Sequence, residues 1–333
     1  MTAVTQCRQA PLKRNHEGEE RRVGVEIELS GLDYQQLVNL AAAFLDGEAQ
    51  SESRYVSVIN TEDGAYTVEL DSDPVKDLEG PDGDMPEPLR RLASHAMDLF
   101  DAAAERIVPL EIVAPPLPFS RVQIIEDLCE YLAGQGALGS RHALYYAFGL
   151  QLNPELPALD AGTIRRYIQA FAGLYPWLKA RHQLDISRKF TTYIDPWPDA
   201  YVKLVMEDDY RPDLDTLISD YLRHNPTRNR ALDLMPLFAW LQPERVRKAV
   251  DDDRIKPRPT LHYRLPDCDL DHDSWQFAGV WNDWIALEEL ASDPVRLHAF
   301  RARYREKQAW SLGNLAHDWV TECHSWAYPG VSE

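Results

Sequence analysis

Two glutamates, Glu26 and Glu28, stand two positions apart in the stretch RRVGVEIELS, residues 21–30. The stretch has the pattern of a β-strand, and side chains alternate faces along a strand. Both carboxylates therefore point one way while Val25, Ile27 and Leu29 point the other. About 7 Å apart along the strand, they repel each other by roughly 2 kcal/mol at an effective dielectric of about 20. Chemistry that needs concentrated negative charge, such as holding a divalent cation, explains why a chain would accept that.

The pattern recurs. In YTVELDS, Glu69 and Asp71 share a face opposite Val68 and Leu70; in VPLEIVA, Glu111 stands between Leu110 and Ile112. In FGLQLNP, Gln151 and Asn153 oppose Leu150 and Leu152; in TLHYRLP, His262 and Arg264 oppose Leu261, Tyr263 and Leu265. An antiparallel sheet with one face in water gives polar-out alternation by default. Solvent-facing strands mix charges of both signs across neighbours, yet the first three strands offer only carboxylates. A sheet face in water and a metal site both remain open on this pattern. A metal site here is all oxygen, with no Cys and little His, which suits Mg²⁺ or Mn²⁺. Arg264 and Arg188 then supply fixed positive charge for a transferring phosphoryl group.

The elements that must position these residues read as follows. Residues 1–20 have the look of a disordered tail. A helix follows the first strand over DYQQLVNLAAAFLDG, capped by Asp33 and stopped by Gly47. RYVSVI and AYTVELD form a hairpin across NTEDG. Residues 71–88 are an acidic, proline-rich loop, a lid or a passive surface loop. PLRRLASHAMDLFDAAAER is helical and leads into the strand IVPLEIVAP. Ser120 and Gln123 make a capping box for the next helix. HALYYAFGLQLNPE is a strand, residues 160–182 are helical, and DISRKFTTYIDPWP and AYVKLVM are extended or loop-like. Helices cover 212–224 and 226–250, RPTLHYRLP is the last strand, and the tryptophan-rich remainder is helical, its SWQFAGVWNDW a packed core or a partner surface. Strands and helices do not alternate as βαβ units, so the expected class is α+β with a largely antiparallel sheet.

Composition narrows the function. The chain has 333 residues, 44% of them hydrophobic, enough for a sizeable core. A formal net charge of −19 and the lack of any Lys/Arg cluster argue against nucleic acid as a partner. Four scattered cysteines share no ligand spacing and suit a reducing compartment. With no apolar run near the ~20 residues that span a bilayer, the expected location is cytoplasmic, without a membrane partner. There is no P-loop, no dinucleotide fingerprint and no nucleophile elbow.

VGVEIEL, LEIVAPPL and TLHYRLP together resemble the amidoligase family, which is similar in catalytic fold to glutamine synthetase and the glutamate–cysteine ligases. The family pattern runs G-x-E-x-E, then E-[LIV]-x-[ST]-P, then His or Asn at alternate strand positions, then T-[IL]-E-[FY]-R. The resembling blocks are scattered between residues 23 and 265. The resemblance implies a glutamine-synthetase-like catalytic domain over residues 21–270, with 271–333 a helical extension packed on it. It implies metal ligation by Glu26, Glu28, Glu69 and Glu111, with His262 standing where the family has a carboxylate. Glu26, Glu28, Asn153, Arg188 and Arg264 then face the nucleotide, and Arg264 and Glu69 take part in catalysis. Three departures stand out: Gln151 for a usual His, His262 for a usual Glu, and Ala114 for a common Ser. The implied activity is ATP-dependent ligation of a small-molecule or peptide carboxylate to an amine, with Mg²⁺ (or Mn²⁺). The rivals are a metal-dependent hydrolase and a non-catalytic pseudo-ligase that binds nucleotide or a partner.

Overall fold

Alternation in the sequence becomes one open sheet in the computed structural model, which describes residues 6–70, 109–140, 149–182, 195–309 and 315–330. Its strands are β1 (Arg22–Leu29), β2 (Glu48–Ser53), β3 (Val56–Thr61), β4 (Gly64–Leu70), β5 (Leu110–Val113), β6 (Leu117–Pro118), β7 (Leu150–Pro154), β8 (Leu232–Asp233) and β9 (His262–Tyr263). They lie in the order β2-β3-β4-β5-β1-β7-β9-β8, with β6 beside β1, and every ladder is antiparallel. The expected α+β class and antiparallel sheet hold.

Ten α-helices occur among the described residues: α1 (Tyr34–Phe44), α2 (Gln123–Gly134), α3 (Ala161–Arg181), α4 (Asp199–Met206), α5 (Leu214–His224), α6 (Met235–Leu241), α7 (Pro243–Ala249), α8 (Phe277–Ser292), α9 (Pro294–Ala309) and α10 (Leu315–Ala327). The apolar set of β1, Val23, Val25, Ile27 and Leu29, is fully buried in the core. Helix α1 packs on β2, β3 and β4, and Tyr34 Oη donates to Ser57 Oγ at 2.7 Å. Helix α8 packs against α3, and its Trp281 and Trp284 are buried, so the tryptophan-rich segment is core.

Behind the sheet, one buried ion pair ties the start of β1 to α8. Arg21 reaches Glu288 with both guanidinium ends, at 2.7 and 2.6 Å, and neither side chain is exposed. Trp284 Nε1 adds a third donor to Glu288 at 2.8 Å. Burial works against the Arg21 charge, but Glu288 outweighs it and holds the pKa above its usual value. Nearby, Glu126 of α2 accepts from the Ala278 N–H at 2.6 Å, so a carboxyl on one helix caps the N-terminus of another. Burial pushes that carboxyl up to about 7.

Several expectations change. From residue 6 the tail expected over 1–20 lies against the core: Cys7 N–H bonds Gln123 Oε1, Arg8 N–H bonds Asn282 Oδ1, and Arg14 pairs with Glu20. Its few apolar residues carry no periodicity, so this anchoring by polar contacts is invisible to pattern. Ser120 and Gln123 do not form a capping box; Ser120 N–H donates to Glu20 Oε1 and Gln123 serves Cys7. Asp33 caps α1 as expected, with Gln36 closing the box, but Asp46 rather than Gly47 takes the left-handed turn. Gly47 is needed because a Cβ there would come within 2.6 Å of Ile59 Cγ2. AYVKLVM is helical, with Tyr201, Val205 and Met206 buried on one side of α4. The helix expected over 226–250 is instead β8, α6 and α7, the last two parted at Pro243. Strand β2, EAQSES, went unpredicted because all six residues are exposed and none is a strong strand former. The acidic loop over 71–88 and the helix after it lie outside the described residues.

Candidate active site

The strand register assembles the acidic residues in a row. Glu69 on β4 is opposite Glu111 on β5, and Glu111 is opposite Glu28 on β1. Directly opposed residues share a face, with Cβ atoms about 5 Å apart. Three carboxylates therefore run side by side across three strands. One pleat along β1, Glu26 is opposite Gln151, and Gly24 is opposite Asn153. Pairing of Leu152 with Tyr263 then puts Gln151, Asn153, His262 and Arg264 on this same face.

The strands β1, β7 and β9 are joined by a directed chain of hydrogen bonds. Arg264 Nη2 lies 3.1 Å from His262 Nδ1. A guanidinium can only donate, so Nδ1 accepts and the imidazole proton sits on Nε2. His262 Nε2 lies 2.7 Å from Gln151 Oε1, which accepts from it. The Gln151 amide nitrogen then faces Glu28 Oε1 at 3.4 Å, and the Gly149 N–H meets Glu28 Oε2 at 2.7 Å. Asn153 Nδ2 donates to Glu26 Oε1 at 2.8 Å. Burial, then the charges of Arg264, Arg258 and Arg228, hold the His262 pKa well below its usual value, so the ring is neutral.

His262 has both ring nitrogens engaged and presents no free lone pair to a metal. It orients Arg264 and Gln151 instead. Among the described residues, no three His, Cys, Asp or Glu side chains gather as a group that could hold a metal ion. Glu28, Glu69 and Glu111 offer the oxygen donors a hard divalent cation prefers, in adjacent strands, without closing on one point. Glu26 and Glu28 also each accept from an N–H donor. Asn153 and Arg264 stand on the site face as expected; Arg188 and Asp71 lie outside the described residues.

Three residues escaped the sequence reading. Asp233 of β8 is opposite His262, buried, and accepts from the Met235 N–H at 2.8 Å. Burial pushes its carboxyl up to about 7, with the Arg264 charge working against the rise. Its strand is two residues long inside an apolar run, so no alternation marked its face. Arg228 and Arg258 come from connecting segments, where no period assigns a direction; their charge reaches His262.

One face of the open antiparallel sheet thus carries a carboxylate row and a half-buried arginine. A family model described as "putative amidoligase enzyme" matches residues 19–286. The match covers well over half of the chain, and the chain belongs to the amidoligase family. No curated protein matches it.

Proposed function

We propose that the chain is an ATP-dependent carboxylate–amine ligase with a glutamine-synthetase-like catalytic sheet. The single observation that carries this reading is the row Glu28, Glu111 and Glu69 lying beside the Arg264–His262–Gln151–Glu28 chain on one sheet face. A substrate carboxylate oxygen attacks the terminal phosphorus of ATP, and ADP leaves. An amine nitrogen then attacks the acyl carbon, the C–O bond to phosphate breaks, and phosphate departs with the amide formed. Both steps concentrate negative charge, which preorganised donors offset at no reorganisation cost.

Arg264 supplies a planar donor fork, and His262 fixes its rotation by accepting from Nη2. Gln151 passes that orientation on to Glu28. Glu26, Glu28, Glu69 and Glu111 are the residues that would hold Mg²⁺, which when bound would neutralise phosphate oxygens. Asn153 steers Glu26. The reaction partners are a small-molecule or peptide acid and an amine.

The test is Mg²⁺ plus a non-hydrolysable ATP analogue in a thermal shift experiment. Binding raises Tm by ligand linkage, and Glu26→Gln or Glu28→Gln abolishes the rise in a folded protein. An unchanged rise in both variants removes the carboxylates from the nucleotide site. The engagement of both His262 nitrogens favours one rival, a pseudo-ligase that binds nucleotide without turnover. Phosphate release that depends on added acid and amine separates the two.

A further inference from the structure

Four buried polar atoms without a hydrogen-bond partner belong to residues of β7 and of the segment that runs through β9 beside it. They are Asn153 Oδ1, Arg258 Nε, Thr260 Oγ1 and Arg264 Nε. Thr260, His262 and Arg264 are spaced two apart, and Thr260 bridges Glu155 while Leu261 N–H bonds Pro154 O, so the chain is extended along the end of β7; Arg258 stands just before this stretch, and its charge reaches His262. Side chains at this spacing on an extended chain take the same side. Buried donors and acceptors are ordinarily satisfied, and leaving one without a partner is destabilising. A seam that gathers several of them has the form of a site completed by a ligand.

The atom types say what that ligand is. Arg258 and Arg264 can only donate, and together with Arg228 they direct positive charge onto this end of the sheet. Asn153 Nδ2 is committed to Glu26, which leaves its Oδ1 as an acceptor with no donor. Thr260 can do either. The complement is an oxyanion with a hydrogen-bond donor beside it.

We propose that Arg258, Thr260 and Asn153 form with Arg264 an oxyanion subsite at the β7–β9 seam, set apart from the carboxylate row. Its occupant is either a phosphate group of the nucleotide or an anionic group of the acid substrate. The proposal rests on the ligase reading for its two sources but not for the existence of the subsite. Thr260 and Arg258 are then specificity residues of the reaction.

The experiment measures binding of three probes to the full chain by calorimetry and thermal shift: inorganic phosphate, a dicarboxylate such as succinate, and the Mg²⁺-bound ATP analogue. Phosphate is expected to raise the wild-type Tm, and Arg258→Gln to weaken its binding at least tenfold. Thr260→Val removes an orphaned hydroxyl at nearly constant volume. It is expected to raise the Tm of the free protein and to weaken phosphate binding several-fold, a pairing that a purely structural threonine does not produce. Where Arg258→Gln fails to fold, Arg258→Lys and Thr260→Val carry the test. A matching loss for the ATP analogue assigns the subsite to the nucleotide. A matching loss for succinate with the analogue unaffected assigns it to the acid substrate. Unchanged binding of all three probes in the Arg258 variants and in Thr260→Val overturns the subsite. The ligase reading fails separately, through Glu26→Gln and Glu28→Gln leaving the Mg²⁺-dependent part intact.

Discussion

The helical layer behind the sheet and the polar face in front of it treat the same two side chains differently. Behind, Glu288 and Arg21 close on each other through two hydrogen bonds, with Trp284 as a third partner and no solvent. In front, glutamates lie beside glutamates, while the Nε atoms of Arg258 and Arg264 are left without acceptors. Sealed charges mark structure, and charges arranged by sign but left incomplete mark a place for something else to bind.

Breaking the sealed pair gives the largest effect. Arg21→Met leaves Glu288 buried and uncompensated, and should cost about 3–5 kcal/mol in denaturant unfolding. A cost below 1 kcal/mol would erase the contrast between the two layers. Next comes the front arginine. Arg264→Lys keeps the charge but loses the fork, and kcat for phosphate release should fall about 100-fold, roughly 2.7 kcal/mol, with nucleotide affinity changing far less. Near-normal turnover would reduce Arg264 to charge balance.

A third prediction concerns pH and a sealed carboxyl. The Glu126 pKa is raised from 4.5 to about 7 by burial, so between those values the folded chain keeps a proton that the unfolded chain releases. Its contribution to stability is fully present below the unfolded value and is lost as pH rises toward 7. Glu126→Gln should match the wild type near pH 4 and exceed it by about 2–3 kcal/mol at pH 8. Parallel stability curves for the two proteins would remove the shift. The smallest effect belongs to the front row. Glu69→Gln relieves repulsion from Glu111 across the β4–β5 ladder and should stabilise the free protein by up to about 1 kcal/mol, while weakening the response to Mg²⁺ and nucleotide. Destabilisation instead would mean that the row is held by a partner and not by a ligand.

Much of this was legible because strand alternation has a period of two. Glu26, Glu28, Glu69, Glu111, Asn153 and Arg264 all fall on the face their spacing predicts. Their cross-strand neighbours were not legible, since partners lie far apart in sequence, 127 residues for the Asn153–Glu26 hydrogen bond. The partners of His262 were hidden for that reason: its strand gave its face, but only register brings Gln151 to its Nε2. Asp233 and Arg258 lie where strands are too short, or chain too irregular, for any period to speak. The 6–20 segment was misjudged because polar anchoring leaves no hydrophobic trace.

The Arg21–Glu288 pair also sets an order of events in the cell. The two residues are 267 positions apart. At a synthesis rate of about 5–20 residues per second, roughly 15–50 s pass between their emergence. Through that interval the strand carrying Glu26 and Glu28 has no counter-charge for the guanidinium at its base. The strand can already pair with β5 and β7 by then, so the clamp that fixes its base to α8 is among the last contacts the chain can make.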